Sequence, residues 1–220
     1  MFRKHFKYFL YIVVFIWQPS AVSGSYEDFF RAVAMDDAAS VRALLSRGFD
    51  GNTPDPKGQH ALLIAAREKS GKVADELLRW PAINVEVRNG TDESPLMFAS
   101  LQGLTELAQK LVAKGADVNK PGWTPLHYAA TKGHVAIMTL LLDKYAYIDA
   151  ASPNGTTPLM MAAHYGTPSA VKLLLEAGAD PLLKNDQALT AIDFAQRASR
   201  QESADIIAAF VRAKQPKGKW

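Results

Sequence analysis

A short phrase recurs along this chain at a near-constant interval. Thr124-Pro125-Leu126-His127-Tyr128-Ala129-Ala130 is followed by Thr157-Pro158-Leu159-Met160-Met161-Ala162-Ala163 and preceded by Ser94-Pro95-Leu96-Met97-Phe98-Ala99-Ser100. The step from Thr124 to Thr157 is 33 positions, and that from Ser94 to Thr124 is 30. A repeat of this size constrains the fold more than composition does. One such unit cannot bury its apolar face alone, so the units must stack, and the product is an open solenoid rather than a closed globule. A solenoid presents an extended surface and lacks the deep cleft that catalysis usually needs.

Paired aliphatic residues set the register. Leu141-Leu142, Leu174-Leu175, Leu111-Val112, Leu77-Leu78 and Leu44-Leu45 each follow the middle of the preceding phrase by the same distance. A sixth unit begins at Leu189 to Ala195 and reads as carrying one extra turn before Ile206-Ile207. Each unit reads as two short amphipathic helices. Thr124 and Thr157 are candidate N-caps, with Pro125 and Pro158 at the first helical position, where a missing N–H costs nothing. Gly103, Gly133 and Gly166 end the first helices, and Gly115 and Gly178 end second helices. The second helix of the clearest unit places Val135, Ile137, Met138, Leu141 and Leu142 at helical spacing.

Thr124-Pro-Leu-His-Tyr-Ala-Ala-Thr-Lys-Gly-His134, with Lys114-Gly-Ala-Asp-Val-Asn119 and Glu176-Ala-Gly-Ala-Asp180 at unit ends, resembles the ankyrin repeat. The resemblance implies an all-α solenoid of about six helix-turn-helix units with β-turn fingers and capping end units. The units fall near 25–52, 53–87, 88–119, 120–150, 151–181 and 182–212, with a basic tail at 213–220. The family binds proteins through its fingers and first-helix face. The positions that match its contact residues are Arg67, Glu68, Glu93, Leu101, Gln102, Trp123, Thr131, Lys132, Pro153, Asn154, Thr156, His164 and Tyr165. Trp123, His164 and Tyr165 are expected to meet across one unit boundary, although Trp123 can equally pack its finger onto the helices. Thr124, Pro125, His127, Gly133, Thr157, Pro158, Gly166 and Gly178 match scaffold positions, and His127 is expected to bond the neighbouring turn. The chain departs from the pattern where Asp36, Lys69 and Tyr145 stand at turn-glycine positions. Asn119-Lys120-Pro121-Gly122 is too short for a full finger, so the fingers cannot form an even row.

Residues 1–24 are of another kind. Arg3, Lys4 and Lys7 precede the apolar run Tyr8 to Trp17, and Ala21-Val22-Ser23 offers small residues where a signal peptidase reads. That layout predicts a secretory signal cleaved near Ser23 to Ser25, hence a periplasmic or secreted protein. A run of this length rises only about 15 Å as a helix, against a hydrocarbon core of about 30 Å. An uncleaved, membrane-tethered scaffold facing the periplasm remains the alternative. The signal carries three of the 25 basic residues and none of the 22 acidic ones, leaving the mature chain neutral. The basic whole-chain pI is therefore no argument for nucleic acid.

The chain has no cysteine, which excludes disulfides and thiol nucleophiles. No nucleophile, phosphate-loop or His-Glu-x-x-His motif occurs, and His60, His134 and His164 lie in different units without ligand spacing. The expectation is a non-enzymatic, monomeric module that takes no metal or cofactor, stays off membranes once cleaved and binds a protein partner. A small-ligand-binding protein or enzyme working on the concave surface is the remaining alternative class.

Overall fold

In the computed structural model, residues 20–214 are described. The apolar run at Tyr8 to Trp17 lies outside them, as does the tail beyond Lys214. The described residues form six antiparallel helix pairs: α1 (Ser20–Ala34) with α2 (Ala38–Ser46), α3 (Ala61–Glu68) with α4 (Gly71–Arg79), and α5 (Pro95–Gln102) with α6 (Thr105–Ala113). They continue with α7 (Pro125–Lys132) and α8 (Val135–Asp143), α9 (Pro158–Tyr165) and α10 (Pro168–Glu176), and α11 (Ala191–Arg197) and α12 (Gln201–Lys214). The first helices from α3 to α11 pack side by side in one row, and the second helices from α2 to α12 form a row behind them.

The register that the paired aliphatics announce becomes the spine of the core. Leu44, Leu77, Leu111, Leu141, Leu174 and Ile207 occupy one position in six units, and none is more than 6% exposed. Small residues behind them, including Ala66, Ala99, Ala130 and Ala163, are fully buried and let neighbouring first helices approach closely. The last unit corrects one expectation. It carries no extra turn before Ile206: α12 begins at 201, as α10 begins at 168, and Ser199 takes the left-handed turn position of Gly133. The pair in register is therefore Ile207-Ala208. The added length lies at the far end of α12, which runs to Lys214 and past the expected boundary at 212.

Helix starts follow the sequence signals. Pro95, Pro125 and Pro158 are the first residues of their helices. Ser94 and Thr157 accept from the backbone N–H of Met97 and Met160. The residue three after each cap reaches back to the cap's own N–H: Met97 and Met160 through sulfur, His127 through Nδ1 and Asp193 through a carboxylate oxygen. These are capping boxes built from three kinds of side chain, with the reciprocal bond to the cap side chain formed at Ser94 and Thr157.

The turn after five of the six first helices is left-handed, at Asp36, Lys69, Gly103, Gly133 and Ser199. At the far end of the second helix the same conformation recurs at Gly48, Gly115, Gly178 and, despite its bulk, Tyr145 at φ +63°. Tyr145 is 85% exposed, so no packing compensates its backbone. The left-handed state costs a residue with a Cβ about 1–2 kcal/mol, partly offset by the extra freedom of glycine in the unfolded chain. Tyr145→Gly is expected to raise stability by about 1 kcal/mol, read as a higher denaturant midpoint. An unchanged or lower midpoint would show that the phenol contributes packing after all.

Candidate interaction surface

The fingers are tight turns closed by backbone and side chain together. Asp55, Asn89, Ser152 and Asn185 donate their N–H to the carbonyls of Gln59, Glu93, Thr156 and Leu189. The Asp55, Asn89 and Asn185 side chains also accept two or more backbone N–H groups of their own turn. Neighbouring fingers touch: the Asp186 N–H donates to the Asn154 carbonyl at 3.1 Å.

The fourth unit breaks the row, as its short connection implies. Between Asn119 and Thr124 there are too few residues to close a turn, and its place is taken by a side chain. Lys120, only 12% exposed, reaches back so that Nζ lies 2.6 Å from the Asp92 carboxylate and bonds the Pro121 and Trp123 carbonyls. An open groove of about 630 Å³ remains, lined by Asp117, Asn119, Pro121, Tyr147 and Ala151 among others.

His127 ties the fifth finger base to the helix row beneath it. Its ring is fully buried. Nδ1 lies 3.1 Å from the Thr124 N–H and 2.9 Å from Thr124 Oγ1, and Nε2 lies 2.9 Å from the Thr156 carbonyl. The carbonyl can only accept, so Nε2 carries the hydrogen and Nδ1 accepts: the neutral tautomer is selected by its partners. Burial, with the nearby Lys120 charge, lowers the imidazole pKa to about 4. The other described histidines also bond backbone: His60 to Asn52, His134 to Leu101 and His164 to Phe194.

Of the residues expected on the binding face, some point to solvent and some do not. Glu68, Lys132, Pro153, Asn154 and Tyr165 are exposed. Arg67, Glu93, Leu101, Gln102, Trp123, Thr131 and His164 are half-buried. Thr156 is 2% exposed, so its side chain cannot meet a partner; its carbonyl is committed to His127 and its N–H to Ser152 Oγ. Trp123 does not join His164 and Tyr165. It precedes α7, whereas they end α9, and a helix of this length sets its two ends about 12 Å apart. Trp123 instead packs edge-on against His127, with ring centroids 5.2 Å apart. His164 and Tyr165 do pair, T-shaped at 4.1 Å, and Tyr165 remains 54% exposed.

Arg67 is turned onto its own neighbours, Glu68 and Gln59. Glu93 accepts from Tyr128 Oη at 2.6 Å, from Asn89 and from Thr91. Burial alone would raise the Glu93 pKa, but these donors and the Arg67 charge hold it below the usual carboxylate range. Burial and the same bond push the Tyr128 phenol up. Tyr128 thus spans the missing finger, joining the fourth first helix to the finger before it.

Two features escaped the sequence reading. One is a ladder on which a side chain of each turn bonds the next turn's backbone. Asn52 accepts from the Asn84 N–H, Glu86 from Asp117, Asn119 from Tyr147 and Asp149 from Asp180. Its signal is an Asn, Asp or Glu at each unit end, which at Glu86, Asn119 and Asp149 follows an aliphatic residue. The other is Arg197, whose register position, 33 after His164, places it on the same face.

The family model described as ankyrin repeats, in three copies, matches residues 69–152, 96–185 and 148–214. A stretch of 165 residues is 33% identical to the nuclear factor NF-kappa-B p105 subunit of Gallus gallus, covering 72% of this chain and 17% of that protein. A stretch of 126 residues is 36% identical to the ankyrin repeat and KH domain-containing protein mask-1 of Caenorhabditis elegans, covering 55% of this chain and 5% of that one. The chain thus spans only a small fraction of these relatives' length. Among solved structures, a chain in the complex of the predatory endopeptidase Bd0816 of Bdellovibrio bacteriovorus with immunity protein Bd3460 superposes with a TM-score of 0.73 at 30% identity, covering 83% of this chain and 97% of that chain. EF0377, an ankyrin repeat protein, gives a TM-score of 0.72 at 29% identity, covering 82% of this chain and 96% of that one.

Proposed function

This chain belongs to the ankyrin-repeat family, and on that premise we propose that it is a non-catalytic interaction module that holds a protein partner against its finger and first-helix face in the periplasm or secreted space. Ankyrin repeats are protein-binding modules, so recognition follows from the family, while the face and the compartment are the proposal. The observation that carries the face is the run of first-helix ends. One position per unit, at Glu68, Gln102, Lys132 and Tyr165, lies at the surface, and its side chain changes from acid to amide to cation to phenol. Scaffold positions beside it are buried and stereotyped, so this run is where one ankyrin stack can differ from another. Tyr165 is the anchor, because a half-exposed aromatic at the centre of an interface contributes much of the binding energy.

The basic start, apolar run and small residues of the first 24 positions support export. The Bdellovibrio complex, in which a predatory endopeptidase is bound to an immunity protein, supports an endopeptidase as the partner class. Co-purification from the exported fraction of the native host tests the face. Tyr165→Ala is expected to lower retention of the co-purifying protein by about tenfold or more, the scale of an anchor worth about 2 kcal/mol. A partner retained equally by that variant would remove Tyr165 from the interface. N-terminal sequencing of the exported protein tests the compartment: a start near Ser23 to Ser25 is expected, and a start at Met1 would leave the tethered form.

A further inference from the structure

Charge is distributed unevenly along this surface. Several cations elsewhere are paired: Arg42 and Arg79 flank Glu76, Lys110 meets Asp75, Lys172 meets Glu176 and Arg67 meets Glu68. On the first-helix face of the fourth to sixth units the pattern changes. Lys132 ends α7, exposed, with no carboxylate partner among the described residues. Arg197 ends α11, also exposed; the nearest acid on its helix, Asp193, spends its carboxylate on the Thr190 N–H and Oγ1. The Arg200 guanidinium donates to the Tyr165 and Gly166 carbonyls and meets no acid. Arg200 thus bonds the Tyr165 backbone, and Lys132 and Arg197 end the first helices on either side of α9. The exposed carboxylates nearby are Asp186, at the finger tip beyond the other end of the helices, and Glu202, in the first turn of α12.

We infer that the fourth to sixth units bind an acidic linear segment of the partner, its carboxylates meeting Lys132, Arg197 and Arg200 while an apolar side chain rests on Tyr165. The inference rests on the first-helix face being the binding face, and it adds the chemistry of what binds there. Three cations that form no salt bridge among the described residues attract carboxylates and repel basic sequences, which sets specificity as much as affinity, although Asp193 lies within reach of the Arg197 charge. Arginine gives planar, bidentate recognition of a carboxylate, and lysine adds a point charge beside it. In the second and third units the same face carries Glu68 and Glu93 with Arg67 beside them, so the unpaired positive charge is confined to the later units.

Selection of short random linear peptides displayed against the full chain tests this directly. Enriched peptides are expected to carry an excess of Asp and Glu, to bind less tightly as salt rises, and to lose at least about tenfold in affinity for a Lys132→Glu/Arg197→Glu double variant. Both side chains are exposed, so the double variant is expected to melt like the parent, and the same selection on it is expected to enrich Lys and Arg. Peptides without an acidic excess, or acidic peptides that bind the double variant equally, overturn the inference, as does a selection with no enrichment. Tyr165→Ala separates the two levels of argument. Non-acidic peptides that still depend on Tyr165 leave the face standing and remove only the acidic specificity, whereas peptides indifferent to Tyr165 remove the face itself.

Discussion

Replacing His127 by alanine is expected to destabilise the chain by about 3 kcal/mol at neutral pH, because a fully buried ring and its bonds to buried backbone groups are lost together. The Thr124 N–H, 3.1 Å from Nδ1, would be orphaned beside a new void, and the Thr156 carbonyl, 2.9 Å from Nε2, would keep only its bond from the Ser152 N–H. The same ring makes stability depend on pH. Unfolded, His127 takes up its proton near the ordinary pH of about 6.5; folded, it does so only near 4. Between those values the unfolded chain binds more protons, so stability is complete above about 6.5 and falls as pH drops towards 4. At most about 3 kcal/mol is lost over that window. The carboxylates whose pKa values are depressed, among them Glu76, Asp92 and Glu93, add their own losses only at lower pH. Denaturant titrations of the two proteins between pH 7 and 5 should therefore converge as pH falls, since the variant has no imidazole to protonate. A constant gap between them would mean that His127 is solvated in the native state and that its bonds to the turn do not form.

How much of this was legible in the sequence depends on whether a residue acts within its own unit or between units. The helix pairs, the caps at Ser94, Thr124 and Thr157 and the broken finger row are local, and local spacing announces them. The capping role of His127 could be foreseen because it lies in the same phrase as Thr124. Relations across units are harder. Asn119 bonding Tyr147, Lys120 bonding Asp92 and Tyr128 bonding Glu93 join residues about one repeat apart, and only the stack brings them together. Register recovers part of this, as it does for Arg197 and for Ile207. It misled where helix ends were ignored: Trp123 and Tyr165 lie in adjacent units but at opposite ends of their helices. Thr156 shows the converse, since a finger residue that looks exposed by position is buried beneath its own turn.

Gly166 is where the reason for a conserved-looking glycine changes from one unit to the next, and Gly166→Ala is expected to cost about 3 kcal/mol. Gly103 and Gly133 stand at the same turn with φ of +72° and +71°. Gly166 has φ −82°, where a side chain is no backbone burden, so left-handed strain cannot explain it. Space does. A Cβ there would lie 2.4 Å from the Ala130 carbonyl oxygen, 2.8 Å from that of Ala162 and 2.9 Å from Ala162 Cα. All three are backbone atoms, so no side chain can swing aside: relief requires α7 to separate from α9 at Ala130 and the last turn of α9 to shift at Ala162. Gly178→Ala supplies the contrast. Its φ is +106° but nothing lies within 4 Å of an added Cβ, so it is expected to cost only about 1 kcal/mol, all of it conformational. Equal losses in the two variants, measured by chemical denaturation, would refute the close approach of the fourth and fifth units. Because α9 carries Tyr165 on its last turn, the same separation would displace the binding face. Gly166→Ala should therefore weaken partner retention as well as stability, whereas Gly178→Ala, at the end of the second helix behind it, should leave retention unchanged.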